Sequence, residues 1–315
     1  MNATKTKNLA ASLQQRLLNR AQQAREEFQL TLTNFLLERF LYRLGRSPVR
    51  SRFVLKGALL FRVWADIPYR ATLDLDLLRR AAPDREAIAA DIRAICATPA
   101  PEDAVEFDTS DLTVEEIRAE DEYAGVRVRF TGRLGNTRTR LQVDIGTADA
   151  TWPDPETTNY PVLLDLPVPN VLAYHPATVV AEKLEALVVL GLTNSRIKDY
   201  FDLHYLAANF PFEGATLARA IGTTFERRKT PIPETTLEGL TDAFWDQQGR
   251  EAHLRAFTRR ARISADLPGA RSLLPLLREF LLHPLEAARG GQPFDMEWKP
   301  GGPWRKKAKI GKKTG

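Results

Sequence analysis

The chain has 315 residues, 43% of them hydrophobic, which allows one large domain or two ordinary ones with a buried core. A single cysteine, Cys96, excludes an internal disulfide and fits a reducing cytoplasm, where it reads as a small buried apolar residue. The net charge is +5, and no apolar run approaches the ~20 residues that a membrane span needs.

The first residues are polar and amphipathic, unlike a secretory signal. Leu9, Leu13, Leu17 and Leu18, then after a break Phe35, Leu36, Phe40, Leu41 and Leu44, predict helix over 8–45, stopped by Gly45. Residues 52–56 read as a short buried strand. Gly57 opens a helix to about Ala65, and a strand follows at 71–78. Asp84 is a candidate cap for a helix running to about Ala97. Residues 98–112 read as loop. Strands are expected near 112–118, 124–133 and 137–146, the last two joined by a tight turn at Leu134-Gly135-Asn136. Residues 147–170 are proline-rich and read as irregular. Helices are expected at 176–190, 197–208, 213–228, 234–247, 250–262 and 271–282, with an unstructured tail past Pro284.

Charge is uneven along this order. Residues 1–52 hold ten Lys or Arg against three Glu, and residues 299–315 hold seven and no acid. The stretch between is net acidic. Basic ends around an acidic body fit a metal-binding centre with ends that attract polyanions. A solvated surface with a disordered tail also accounts for the charge runs.

The strand at 71–78 carries the first chemical signal. In Leu73-Asp74-Leu75-Asp76-Leu77, side chains alternate between faces, so Asp74 and Asp76 point one way and the leucines point into the core. Two like charges that close repel, and a divalent cation removes the penalty. A third carboxylate, Asp144 in Leu141-Gln142-Val143-Asp144-Ile145, sits among apolar residues near a strand end. If the two strands neighbour each other, three acids converge, as two-metal phosphoryl chemistry requires. Solvated charges on an edge strand fit the spacing equally. Gly57, at a helix start within twenty residues of Asp74 and Asp76, offers backbone N–H groups to a phosphate, or is simply a turn residue.

The helical half adds a second group. Lys183 lies mid-helix amid apolar residues, so it either snorkels to solvent or meets an anion. Asp199 and Asp202 share a face of the next helix, with Asp199 in its first turn.

The segments FVLKGALLF, RATLDLDLL, LQVDIG and AEKLEALVVLG…RIKDYFDLHYL, with the N-terminal helix, resemble the AbiEii/AbiGii-type nucleotidyltransferase toxins, which include the MenT group. The resemblance spans about residues 8–285. It implies an α+β fold, with a polymerase β-like nucleotidyltransferase core of mixed sheet and flanking helices plus a C-terminal helical domain. The implied division is an N-terminal helical segment (1–50), the core (51–150), a helical domain completing the active site (151–285) and a basic, disordered tail (286–315). The family's glycine-led motif falls on Gly57 through Asp74 and Asp76, its third acid on Asp144 and its lysine on Lys183. Its Asp-x-x-Asp-Leu falls on Asp199, Asp202 and Leu203, preceded by Arg196 and Lys198. Many members have Gly-Gly or Gly-Ser where this chain has Gly57-Ala58.

The roles implied are metal ligation by Asp74, Asp76 and Asp144, with Mg²⁺ or alternatively Mn²⁺, and nucleotide binding by Lys56, Gly57, Ala58, Lys183, Arg196 and Asp202. Asp74, Asp76, Asp144, Lys183 and Asp199 are the catalytic candidates. The expected substrate is an NTP, and the expected acceptor is the 3′ end of tRNA. The expected setting is a bacterial toxin–antitoxin or phage-defence system with a cognate antitoxin, in the cytoplasm and away from membranes. A protein or small-molecule acceptor, or a non-catalytic nucleic-acid-binding relic, are the competing readings. Thr72, two residues before Asp74, is expected on the same strand face. A phosphate there would set about −2 of charge beside the carboxylates, so Thr72→Glu is expected to silence the enzyme.

Overall fold

The computed structural model describes residues 3–65, 72–80, 84–117, 125–147, 151–234, 237–261 and 270–307. The chain divides into two compact units, one made of Met1–Asp149 with Pro155–Tyr174 and the other of Ala150–Asp154 with His175–Gly315.

The first unit opens with two helices, α1 (Ala3–Ala24) and α2 (Phe28–Arg46), where the leucine spacing predicts one interrupted run. In α2 the sides are not cleanly amphipathic, because every residue from Thr31 to Leu44 is buried. Phe35, Leu36, Phe40 and Leu41 are fully buried, and Phe40 packs 5.4 Å, centroid to centroid, from Phe130. A helix buried all round belongs to the interior rather than to an accessory segment.

Next come β1 (Phe53–Lys56), a 3-10 turn at Gly57–Leu59, α3 (Leu60–Trp64) and β2 (Asp74–Arg79). The helical stretch after Gly57 reaches Trp64, close to the expected end, but its first turn is 3-10 and its α-helical part, α3, has only five residues. It therefore carries little macrodipole to aim at a phosphate. α4 (Arg85–Cys96) is capped as anticipated, with Asp84 Oδ1 accepting from the Glu86 N–H at 3.0 Å.

Three long strands follow: β3 (Val105–Ile117), β4 (Gly125–Leu134) and β5 (Thr137–Thr147). β3 begins inside the stretch expected to be loop, and its pairing with β4 shifts register between Asp108 and Thr113. Such an irregularity breaks the alternation that sequence reading depends on. The expected two-residue turn joins β4 to β5, with Gly135 at φ +56°.

The chain then makes β6 (Glu156–Asn159) and β7 (Asn170–Ala173) in the proline-rich stretch that reads as irregular. The seven strands form one sheet in the order β3-β4-β5-β2-β1-β7-β6. It is mixed, because β1 pairs with β7, and β2 with β5, in parallel. Leu75, Leu77, Val128, Phe130, Leu141 and Val143 form its buried face.

Part of the basic charge of residues 1–52 is paired inside this unit. Arg43 donates to both Asp103 oxygens, at 2.7 and 3.0 Å, and Arg52 pairs with Asp91 at 2.5 Å. In α2, Arg39 Nη2 lies 2.7 Å from Glu38 Oε1, with both side chains essentially inaccessible. The Leu163 N–H donates to Glu38 Oε2 at 2.6 Å.

Burial outweighs these partners and pushes the Glu38 carboxyl up from 4.5 to about 7. A raised folded-state value stabilises the protonated form. Its contribution is therefore complete below about pH 4.5 and is lost as pH rises through about 7. The shift corresponds to ~3 kcal/mol. Unfolding free energy measured from pH 5 to 8 is expected to decline in wild type, and Glu38→Gln is expected to flatten that slope. An unchanged slope removes Glu38 as its source.

The second unit is helical. It contains α5 (Pro176–Leu190), α6 (Ile197–Asn209), the short β8 (Phe212–Glu213) and α7 (Gly214–Arg228). Its later helices are α8 (Asp242–Trp245), α9 (Arg250–Ala261) and α10 (Ala270–Gly290). His175 caps α5, its Nδ1 accepting from the Ala177 N–H at 3.1 Å, and Pro176 fills the first turn, where its missing N–H is no loss. The single helix expected at 234–247 is instead a 3-10 turn, Glu238–Leu240, and the four-residue α8.

The expected tail is structured to Lys307. α10 continues through Pro284 to Gly290, and β9 (Met296–Trp298) and β10 (Trp304–Lys306) close a three-stranded sheet with β8. Trp298 supplies the reason. It is 1% exposed, donates its Nε1–H to the Ala207 carbonyl at 2.7 Å and lies 4.9 Å from the Phe280 ring. Trp298→Ala is expected to destabilise this unit by about 3–5 kcal/mol in urea unfolding. A cost under about 1 kcal/mol would return the segment to the status of a tail. Among the described residues, no helix is long and apolar enough to cross a membrane.

Candidate active site

The site in the first unit is built by register. β2 lies between β1 and β5, so Asp76 pairs with Lys56 on one side and with Asp144 on the other. Asp144 in turn pairs with Arg127 of β4, and Arg127 with Glu115 of β3. Cross-strand partners face the same way, so Lys56, Asp76, Asp144, Arg127 and Glu115 form one charged row across five strands. Asp74 stands two residues before Asp76, on the same face and opposite Gln142. The alternation expected from sequence holds within the strand, where Leu75 and Leu77 are fully buried. It fails before the strand begins: Leu73, expected in the core, is 52% exposed.

Gly57 sits hard against Asp76. Its φ is +71°, and a Cβ there would lie 2.0 Å from Asp76 Oδ2 and 2.6 Å from the Asp76 Cβ. Glycine is required twice over, by the left-handed backbone and by the carboxylate next to it. Lys56, the preceding residue, places its Nζ 5.4 Å from the Tyr174 ring centroid. Ala58 is buried. Thr72 lies outside β2 rather than on its face, and its hydroxyl meets the Asp74 main chain, accepting from the N–H at 3.4 Å.

Asp144 is held by an arginine that sequence reading missed. Arg127 donates through Nε and Nη2 to the two Asp144 oxygens, at 2.8 and 2.7 Å. Gln142 Nε2 lies 3.4 Å from Asp144 Oδ2. Asp76 and Asp144 stand side by side on adjacent strands, and carboxylates are the donors a hard divalent cation takes. Among the described residues, no three acidic, histidine or cysteine side chains are gathered as a metal cluster. The donor chemistry and strand register fit such an ion, while the side-chain arrangement shows Asp144 committed to Arg127.

The second unit holds the other group. Lys183 of α5 lies 2.5 Å from Asp199 Oδ1 and 2.8 Å from Asp202 Oδ2, so it meets anions rather than solvent. Arg196 Nε is 2.8 Å from Asp199 Oδ2. Asp199 and Asp202 are fully buried, and Lys183 is nearly so. Burial alone would raise the Asp199 carboxyl, but Lys183, Arg196 and Lys198 overcome it and hold it below the ordinary carboxylate value. Arg250, unremarkable in the sequence, secures the turn before α6. It donates to the Asn194 and Leu192 carbonyls, with its guanidinium 4.0 Å from the Phe244 ring centroid.

The sequence profile of the family described as Nucleotidyl transferase AbiEii toxin, Type IV TA system, matches residues 39–274. The chain belongs to the AbiEii nucleotidyltransferase toxin family. That match spans both units, from α2 to α10, and includes every candidate residue above. The AbiEii chain is thus a nucleotidyltransferase toxin of a type IV toxin–antitoxin system, with the mixed α+β fold and C-terminal helices that its motifs imply.

Among solved structures it is similar to JHP933 from Helicobacter pylori, at 14% identity and a TM-score of 0.46, covering 84% of this chain and 94% of that one. A second H. pylori protein, described as a candidate nucleotidyltransferase, is similar at 15% identity and a TM-score of 0.44, covering 84% and 96%. The family assignment rests on the sequence profile alone. No curated protein matches the AbiEii chain.

Proposed function

We propose that this toxin transfers a nucleoside monophosphate from an NTP to the 3′-terminal hydroxyl of tRNA, blocking translation until a cognate antitoxin neutralises it. The observation that carries this reading is Asp76 beside Asp144 on parallel neighbouring strands, with Asp74 one pleat away and Gly57 against Asp76. Asp74, Asp76 and Asp144 would hold Mg²⁺ or Mn²⁺. Such an ion, when bound, supplies positive charge to the triphosphate and acidifies the acceptor hydroxyl.

The chain's own residues do the rest. Asp76, confined against Gly57, fixes one edge of the site. Lys56 and the main chain at Gly57 and Ala58 offer positive charge and N–H donors to phosphate. Asp144 receives the proton of the acceptor hydroxyl as its oxygen bonds to the α-phosphorus and pyrophosphate leaves. In the second unit, Asp199 and Asp202 hold Lys183, the cation that the family motif assigns to phosphate, and Asp199 also holds Arg196.

The N-terminal basic residues are less available to tRNA phosphates than their number suggests, given the internal pairing of Arg39, Arg43 and Arg52. Arg305 and Lys306 of β10 are exposed and suit that contact, and Lys309, Lys312 and Lys313 lie outside the described residues. Thr72 is a regulatory position. A phosphate on its hydroxyl would stand at the Asp74 main chain, and Thr72→Glu is expected to lower transfer at least tenfold. Full activity in that variant removes Thr72 from regulation.

The test is transfer of label from α-labelled NTPs, with Mg²⁺, into total RNA and a cell protein extract, by wild type and by Asp74→Ala. Label in the tRNA band with wild type alone is the expected result. Label in protein or a small molecule would replace the acceptor, and no label in any fraction would overturn the transferase reading.

A further inference from the structure

Asp144 is already compensated by a positive charge, which a carboxylate waiting for a cation would not need. Arg127 engages both of its oxygens, through two N–H donors at 2.8 and 2.7 Å, in a pair that is only partly exposed. A side-on arginine of this kind uses one lone pair on each oxygen and sets a full positive charge at the site. The pairing is imposed by the fold. The turn at Gly135-Asn136 fixes the β4–β5 register, and that register sets Arg127 opposite Asp144. Asp76, on the other side of Asp144, has little room to shift because Gly57 lies against its Cβ and carboxylate. The row also offers Arg127 a second carboxylate, since Glu115 on β3 is its register partner there. Glu115 now pairs with Arg129 at 2.7 Å.

We propose that Arg127 is a positioning residue that competes with the divalent cation for Asp144. Before the cation binds, Arg127 neutralises Asp144 and keeps two adjacent carboxylates, Asp76 and Asp144, from standing beside each other uncompensated. When the cation binds, Asp144 is released to it and Arg127 turns toward Glu115. The site is thereby held in a form with weak cation affinity until a nucleotide brings its own phosphate ligands. This inference rests on the reading that Asp74, Asp76 and Asp144 form the cation site.

The experiment is Mn²⁺ titration of the full chain without nucleotide, read as loss of the free-Mn²⁺ electron paramagnetic resonance signal. Removal of one charge-assisted pair predicts about tenfold tighter Mn²⁺ binding in Arg127→Gln. Arg127→Lys, which keeps the charge but not the two-pronged geometry, is expected to fall between that variant and wild type. Asp144→Asn is expected to bind more weakly than wild type. The Gln variant, no longer compensating Asp144, is also expected to melt lower without Mn²⁺ and to recover more than wild type when it is added.

Equal or weaker Mn²⁺ binding in Arg127→Gln overturns the proposal, while measurable wild-type binding leaves the cation site itself standing. If the Gln variant does not fold, Arg127→Lys decides alone, and affinity unchanged from wild type overturns the proposal. Wild type that retains no Mn²⁺–NTP on the protein in equilibrium dialysis, and no Mn²⁺ without it, overturns both this inference and the reading beneath it.

Discussion

Gly57→Ala is expected to lower nucleotidyl transfer at least about 100-fold. The added methyl would lie 2.0 Å from Asp76 Oδ2 and 2.6 Å from its Cβ and Cγ. Because Cβ is among the atoms struck, rotating the carboxylate does not relieve the clash, and β2 or the turn must move. A displacement near 1 Å at a reacting group is enough for a loss of that size. The backbone adds its own strain, about 1–2 kcal/mol for a left-handed non-glycine residue. The variant therefore combines a modest fall in melting temperature with a much larger fall in turnover. A transfer assay and a thermal melt on one preparation separate the two. Near wild-type turnover would mean that Asp76 is not constrained as described and holds no essential position.

Lys183→Met is expected to destabilise the protein by about 3–5 kcal/mol, the usual penalty for removing one partner of a buried ion pair. Asp199 and Asp202 would be left fully buried, with Arg196 paired to Asp199 and Lys198 as the remaining cations acting on it. Asp199 is ionised well below the ordinary carboxylate value because Lys183 and its neighbours outweigh burial. With a depressed folded-state value, its contribution is present above the unfolded pKa of 3.8 and is lost as pH falls through the folded one. In wild type that loss comes below pH 3.8. In Lys183→Met, acid unfolding is expected to begin at higher pH. Neutralising the acids too, in Lys183→Met/Asp199→Asn/Asp202→Asn, is expected to recover much of the stability and none of the activity. If the single variant is as stable as wild type, the network is not the closed group described.

The candidate carboxylates and lysine are easier to pick out in the sequence than the scaffold around them. Asp74 and Asp76 stand out because a two-residue period with acids at the polar positions is rare enough to notice. Lys183 stands out because an apolar helix has no other use for it. Arg127 was equally legible, had the hairpin been followed through. Counting seven residues back from Leu134 and seven on from Thr137 pairs Arg127 with Asp144. The missed elements share a different cause. β6, β7, β9 and β10 are four residues or fewer, too short for alternation to register, and prolines or glycines surround them. β7 and β9 depend on distant partners, Leu55 with Ala173 and Phe212 with Trp298, and β6 and β10 pair only with β7 and β9. No local window contains that information. α2 misled in the other direction, since a helix with charged residues suggests a surface, and here Arg39 and Arg43 are buried with Glu38 and Asp103.

The strand order has a consequence for synthesis. β1, which ends at Lys56, has β2 on one side and β7 on the other, and β7 is not made until residue 173. A nascent chain can assemble β1 to β5 with α2, yet from the end of β1 at Lys56 more than a hundred residues are made before β7 covers its other edge. In the same interval the chain lays down Ala150–Asp154, which belong to the second unit and wait for Thr178 and Arg219 to cover Trp152. Neither unit is complete before the other has begun, and a chain stalled short of residue 170 still lacks β7 on the open edge of β1.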